Sequence, residues 1–288
     1  MASSQQLKGR IKSVRNTKQI TKAMELVSAS KMRRAQEYAR KSRDYRNLAR
    51  QILARLRQLT DVSKHPLYIA RPLKTRLHIV VTSNRGLAGA YNSNVLRALT
   101  KELIADKEAG IVSEAIIIGK QGAKFIVRFE HVKVVAVYQD FPDHPTSNDI
   151  RPILDTILAA YRDGTTDAVD ITFTDYKSSI AQEVVIERLL PAAYIDEPVT
   201  PDLEHAVFEP SPKAVLENVT ERLIESQLNQ AFMESIASEQ SMRMMAMKSA
   251  SDNASDLIED LTLAFNSARQ AAITQELAEI TGGSEAIK

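Results

Sequence analysis

The sequence predicts a mixed α+β and α/β protein: two long terminal helices wound as an antiparallel coiled coil, with an α/β domain inserted between them. Three observations carry this prediction. All 10 prolines lie between Pro66 and Pro212. The flanks, 56 residues from Arg10 to His65 and 69 from Lys213 to Thr281, contain neither Gly nor Pro. The segment between them alternates short β-branched runs with helical patterns. Proline inside a helix costs about 3 kcal/mol and glycine about 1 kcal/mol, so each breaker-free flank is free to form one continuous helix. At about 1.5 Å per residue these would run roughly 80 and 100 Å. The expected division is residues 1–65, 66–211 and 212–288.

The first flank repeats with steps of three and four through Met24, Val27, Lys31, Ala35, Tyr38, Ser42, Tyr45, Ala49, Ile52, Leu56 and Leu59. Leu7, Ile11 and Val14 extend the pattern toward the N-terminus. This spacing predicts a left-handed coiled-coil seam, with several small or polar members. The middle segment changes period. Leu77–Thr82, Ala115–Ile118, Val132–Tyr138, Val169–Thr174 and, more weakly, Val184–Leu190 read as strands. Asn92–Lys107, Gln121–Arg128 and Ile150–Arg162 read as the helices between them. Such alternation indicates βαβ units and a mainly parallel, Rossmann-like sheet, covered on both faces. A Pro- and acid-rich linker follows from Pro191 to Pro212.

The second flank opens with Ser211-Pro212, an N-cap followed by a first-turn proline. Glu217, Glu221 and Glu225 lie near its start, where the helix dipole favours negative charge. Leu216, Val219 and Leu223, then Leu257, Leu261, Ala264, Ala268 and Ala271, form its apolar stripe. Gly282-Gly283 is the expected stop. The four Met within 242–247 are expected to fill irregular space between helices.

Charge separates the two flanks. Residues 1–60 hold 16 Lys/Arg and 3 Asp/Glu, a net of +13, whereas residues 212–288 hold 6 and 12, a net of −6. The whole chain is only +2. A basic and an acidic helix attract one another, and the basic one also suits an acidic partner. No apolar run is long enough to span a bilayer, and Met1–Leu7 lacks the apolar core of a secretory signal. The absence of Cys excludes disulfides and thiolate metal sites.

Candidate chemistry is sparse. Thr82–Asn92 follows the first strand, where a dinucleotide would bind, but its G-x-x-G spacing matches neither G-x-G-x-x-G nor a P-loop. It is read as a strand-to-helix turn, as is Gly119-Lys120-Gln121-Gly122. The five His residues show no ligand spacing, so no metal site is expected. Ser-His-Asp sets lack a nucleophile-elbow sequence. The basic helix raises nucleic-acid binding as an alternative, but Tyr38 and Tyr45 are its only aromatics and its charges circle the helix. A nucleotide-dependent α/β enzyme is the other alternative.

Three long strings narrow the choice. Arg10 to Met32 (RIKSVRNTKQITKAMELVSASKM), Ser83 to Gly89 (SNRGLAG) and Ala268 to Ile280 (ARQAAITQELAEI) resemble, in order and spacing, the gamma subunits of bacterial F-type ATP synthases. Ser284, where the family usually has Ala, is a small departure. The resemblance implies a rotor shaft. It would pass through the alpha and beta subunits of the catalytic head and rest on the epsilon subunit and the c-subunit ring. It implies no catalytic residue, cofactor or metal in this chain. It also implies no nucleic-acid partner, and contact with the cytoplasmic face of the bacterial plasma membrane only through other subunits. By the same resemblance, Met24 matches a residue near the moving acidic segment of a beta subunit. Arg269, Gln270 and Thr274 match residues touching a beta loop. Lys18, Lys22 and Arg34 are added because their charge would attract that acidic segment. Seam packing for Met24 and simple solvation for Thr274 are the alternatives.

Overall fold

A computed structural model describes residues 4–62, 65–193 and 206–285. The elements are α1 (Ser4–Leu59), β1 (Thr75–Val81), α2 (Tyr91–Glu108), β2 (Val112–Ile118), α3 (Lys120–Ile126), β3 (Lys133–Tyr138), α4 (Ser147–Arg162), β4 (Ala168–Tyr176), β5 (Gln182–Leu190) and α5 (Pro212–Glu285). The first breaker-free flank is one helix only as far as Leu59, six residues short of the expected His65, and the second is one helix throughout. The linker that begins at Pro191 lies partly outside the described residues, as does His205. By contact the chain forms two compact units, Met1–Ser28 with Arg243–Lys288, and Ala29–Met242.

In the larger unit the sheet order is β3-β2-β1-β4-β5. β1 pairs in parallel with β2 and β4, β2 with β3, and only β5 runs antiparallel, against β4. Strand pleating divides the core in two. Leu77, Ile79, Val81, Ile116, Ile118, Val169, Ile171 and Phe173 point to one face, where α4, α1 and α5 cover them. Val80, Ala115 and Ile117 point to the other, under α2 and α3. Strands buried on both faces need apolar residues at every position, hence their continuous Val/Ile runs.

Side chains cap two of the helices, and one expected stop fails. Thr146 and Asp149 form a reciprocal capping box on α4. The Ala214 N–H donates to Ser211 Oγ at 3.3 Å, capping α5 as expected. The failed stop is Gly282-Gly283, which do not end α5, because the helix continues to Glu285. A cost of about 1 kcal/mol per glycine is too small to end a helix by itself.

Within the larger unit α1 and α5 run antiparallel. Ala35 packs on Ile236 and Ala237, whereas Ala49, Leu53 and Leu56 join Leu216, Leu223 and Leu228. The buried face of α1 carries leucines toward its two ends and small residues between them, and several large apolar residues lie outside it. Leu7, Ile11, Thr21, Ser28, Ala35, Ala39, Ala49, Leu53 and Leu56 are buried, each on a strict heptad register, whereas Val27, Tyr38 and Leu59 are exposed. The seam expected through Met24, Val27 and Tyr38 is therefore displaced by one position. Small residues win the buried positions because they let two helix backbones approach closely, and α5 presents small residues in turn at Ser251 and Ala254. On α5 likewise, Leu257 is exposed, and Met247, Ser251 and Ala254 hold the buried register.

A buried ionic cluster ties β1 to α2 and β4. His78 Nε2 lies 2.8 Å from Asp106 Oδ2, which also accepts from Ser113 Oγ at 3.1 Å. Arg76 reaches Glu102 at 2.9 Å and Asp106 at 3.4 Å, and Arg188 grips Asp170 with two nitrogens. Burial alone would raise the Asp106 carboxyl. The hydrogen bond from His78 and the charge of Arg76 outweigh it and hold the group below its ordinary value.

Two predictions follow from this packing. Phe232, fully buried with its ring centroid 4.8 Å from that of Phe141, leaves a large cavity when removed. Phe232→Ala is expected to cost about 3–5 kcal/mol in urea unfolding. Asp106, with its native pKa depressed, contributes stability that is full above the unfolded-state value near 3.8 and is lost as pH falls through the native one. Asp106→Asn is therefore expected to destabilise the protein at pH 7 and to flatten the loss of stability below pH 4, measured by unfolding at stepped pH.

Candidate functional site

In an open α/β sheet ligands bind beyond the carboxyl ends of the strands, where the order of connection reverses. Here that place is between β1 and β4, because the chain leaves β1 for β2 on one side and later returns to β4 on the other. α5 occupies it. Ser235 Oγ shares a 2.6 Å hydrogen bond with the Tyr91 hydroxyl and accepts from the Thr174 N–H at 3.4 Å. Ser238 Oγ donates to the Thr174 carbonyl at 3.1 Å. One turn on, Ser241 Oγ donates to the Ser179 carbonyl at 3.0 Å and accepts from Gln182 Nε2 at 3.3 Å. A serine every three residues presents one hydroxyl stripe along the helix, matched to the polar strand ends.

The glycine turns are also closed from within. Thr82 Oγ1 donates to the Ile118 carbonyl at 2.7 Å and accepts from the Gly122 N–H at 2.9 Å, the N–H a phosphate would need. The Ser83 N–H donates to Asn92 Oδ1 at 3.0 Å and its hydroxyl to the Arg85 carbonyl at 2.6 Å, and Asn84 Nδ2 donates to the Phe141 carbonyl at 2.9 Å. A Cβ on Gly119 would sit 2.2 Å from the Thr82 carbonyl oxygen, at φ +95°. The first glycine segment is a turn, as its sequence indicated, whereas of the second only Gly119 lies outside α3, which already begins at Lys120; the two are locked to each other through Thr82. In the first of them Leu87 and Gly89, not Gly86, take the left-handed conformation.

Among the described residues the buried cluster is the one place where Ser, His and Asp meet, and it is not arranged for catalysis. Ser113 bonds Asp106 and not His78, so the buried cluster does not align as a nucleophile and base. Among the described residues no group of His, Asp and Glu has metal-binding geometry. No described helix is long and apolar enough to cross a membrane.

The residues singled out on the long helices lie along the surface. In the smaller unit, Arg15, Lys18, Gln19, Lys22, Ala23 and Leu26 of α1 line a groove with Ile258 of α5. Lys22 bonds Glu25 at 3.0 Å. Met24 is half-buried at the edge of this helix's buried register. Ile20 and Val27, four residues before and three after it, are exposed, so Met24 centres an outward apolar stripe. Arg269, Gln270 and Thr274 are exposed, and the Thr274 hydroxyl donates to the Gln270 carbonyl at 2.9 Å. Arg269 follows Ile258 by eleven residues, about 16 Å of helix, so the two sets of candidates do not form one site. Arg34 is exposed and belongs to the larger unit. Sequence reading missed Ser235, Ser238 and Ser241, whose three-residue spacing was visible. It also missed Arg162, which donates to both Glu217 and Glu221 at 3.2 and 2.6 Å.

The locked turns generate a prediction. Gly119→Ala must displace the Thr82 backbone and is expected to cost about 3 kcal/mol or more in chemical denaturation. Gly110→Ala, with positive φ but open space around it, is expected to cost only about 1–2 kcal/mol.

Comparison with known proteins agrees with a stalk element and not with an enzyme. The family model described as ATP synthase matches residues 3–287. The ATP synthase gamma chain of Acidithiobacillus ferrooxidans is 40% identical over 292 residues, and that of Cupriavidus metallidurans 42%, each match covering 100% of both chains. In fold, the chain is similar to one from the Euglena gracilis mitochondrial ATP synthase (OSCP/F1/c-ring, rotational state 3). The TM-score is 0.66 at 18% identity, covering 99% of this chain and 94% of that one. The chain belongs to the ATP synthase gamma chain family, the non-catalytic stalk subunits of that enzyme.

Proposed function

We propose that this chain turns as the central shaft of a bacterial F-type ATP synthase, coupling proton flow to conformational change at beta subunits. The observation that carries this reading is the full-length relation to gamma chains, together with a nucleotide crevice filled by the chain's own helix. An α/β sheet without a ligand site serves as a mount, and its C-terminal helix α5 continues as part of the shaft.

A shaft must be stiff and asymmetric. Stiffness follows from two helices with no interior breaker between Arg10 and Leu59 or between Lys213 and Thr281. Asymmetry follows from charge, since one helix is strongly basic and the other acidic. As such a rod turns, it presents different faces in succession to surrounding subunits. Only a difference in interaction with two conformations biases the equilibrium between them.

In this reading exposed Ile20 and Val27 with half-buried Met24 between them, bordered by Lys18 and Lys22, meet the acidic moving segment of a beta subunit. Arg269, Gln270 and Thr274 meet a second beta-subunit loop farther along. Arg34 adds its charge to the attraction of that acidic segment. The alpha and beta subunits surround the shaft. The α/β domain sits against the epsilon subunit and the c-subunit ring, on the cytoplasmic face of the membrane. Residues 1–65 and 212–288 act as shaft and 66–211 as mount.

The test is reassembly with alpha, beta and epsilon subunits on c-ring membranes. Met24→Lys is expected to retain ATP hydrolysis and to lower proton pumping per ATP about fivefold, within the range of coupling free energies between sites. Wild-type pumping in that variant would remove Met24 from the contact set, and failure of the unaltered chain to restore pumping would refute the shaft reading.

A further inference from the structure

One loop of the larger unit touches almost everything around it. Residues 139–146 connect β3 to α4. Lys120 pairs with Asp140 at 2.6 Å, anchoring the loop to α3. Phe141 packs on Phe232 of α5, and its carbonyl accepts from Asn84 in the β1–α2 turn. Asp143 takes a 2.5 Å ion pair from Lys31, and His144 meets the ring of Tyr38 at 5.6 Å. The capping box at Thr146 and Asp149 fixes the far end.

Lys31 and Tyr38 are seven residues apart on α1, so they project from one helix face. That face is not the buried one, which carries Ala35 and Ala39. Both side chains point away from the seam, yet both are held by the loop. Exposed ion pairs add little to stability, so the arrangement makes poor sense as a folding device. It makes better sense mechanically. Beside Lys31 and Tyr38 the seam is made of Ala35 and Ala39, and such a small-residue stretch resists separation of two helices but offers few protrusions against rotation of one about its own axis. Long side chains on the outer face have the greater lever arm, and the loop that meets them is fixed at both ends.

We propose that the β3–α4 loop is a torque strap, in which Asp143 and His144 are positioning residues that hold α1, through Lys31 and Tyr38, against rotation relative to the sheet. This rests on the shaft reading above. Under load, α1 and the α/β mount then turn as one body, and without the strap part of each step is lost as axial twist.

The test is a charge exchange in the full chain, reassembled with its partner subunits in membranes. Lys31→Glu and Asp143→Lys each place like charges together. Each is expected to lower protons pumped per ATP hydrolysed by about twofold or more, most clearly against an opposing proton gradient, with hydrolysis retained. The double exchange Lys31→Glu/Asp143→Lys restores the pair and is expected to restore the ratio. The thermal midpoint is expected to move little in all three, which separates a mechanical role from a merely structural one. Wild-type pumping in both single variants, or a double exchange no better than the worse single, overturns the proposal. So does loss of pumping that tracks the thermal midpoint. Should a single variant fail to assemble, Tyr38→Ala removes the ring contact without adding charge and is read by the same criteria. If the unaltered chain fails to pump, the shaft reading itself falls and the strap with it.

Discussion

The burial of α5 between Leu223 and Ser238 is the constraint on which the rest of the larger unit depends. All residues of that stretch but Gln227 and Asn229 are buried. An ordinary surface helix buries one stripe and leaves the opposite face to water. Here both faces are claimed. Leu223, Ile224, Leu228 and Phe232 face the sheet core, each contributing about 1.5–3 kcal/mol by leaving water. Ser235, Ser238 and Ser241 face strand ends and turns, where each hydroxyl finds a partner. A buried hydroxyl without one costs about 1–3 kcal/mol, so the serine stripe and the strand ends specify each other's position.

This single docking decides what the α/β domain does. The crevice that would hold a nucleotide in a related sheet is filled by helix, and the loop N–H groups that would hold phosphate are used by Thr82 and Asn92. The fold keeps the geometry of a binding domain and uses the site as a socket. A helix buried on nearly all sides cannot rock in that socket without breaking hydrogen bonds and opening cavities.

The outer surfaces complement this. On α1 the apolar residues Ile20, Leu26, Val27 and Tyr38 point outward, and the seam is built from Thr21, Ser28, Ala35 and Ala39. A stripe of exposed apolar residues among cations marks a surface that meets other proteins. On α5, Ile273, Leu277 and Ile280 are exposed in the same manner. The small residues at Thr21, Ser28, Ala35 and Ala39 sit between buried leucines at the two ends of α1.

The sequence alone determined the two long helices, the alternation that makes a mostly parallel sheet, the strands and helices of the insert, and the absence of metal-ligand spacing. These depend on local properties: where breakers are missing, and which period the apolar residues follow. It also carried the family strings. Only the tertiary structure decided which face of α1 is buried, that α5 enters the crevice, that Arg162 holds Glu217 and Glu221, and that Asp143 and His144 reach α1. The physical reason is that each of these pairs residues far apart in the chain, and in each the buried group is small or polar. An apolar count looks for large hydrophobic side chains, so beside the buried Leu7, Ile11, Ala35, Ala49 and Leu56 it selected the outward Val27, Tyr38 and Leu59. The seam is chosen instead by how closely two backbones approach, a quantity that exists only once both helices are in place.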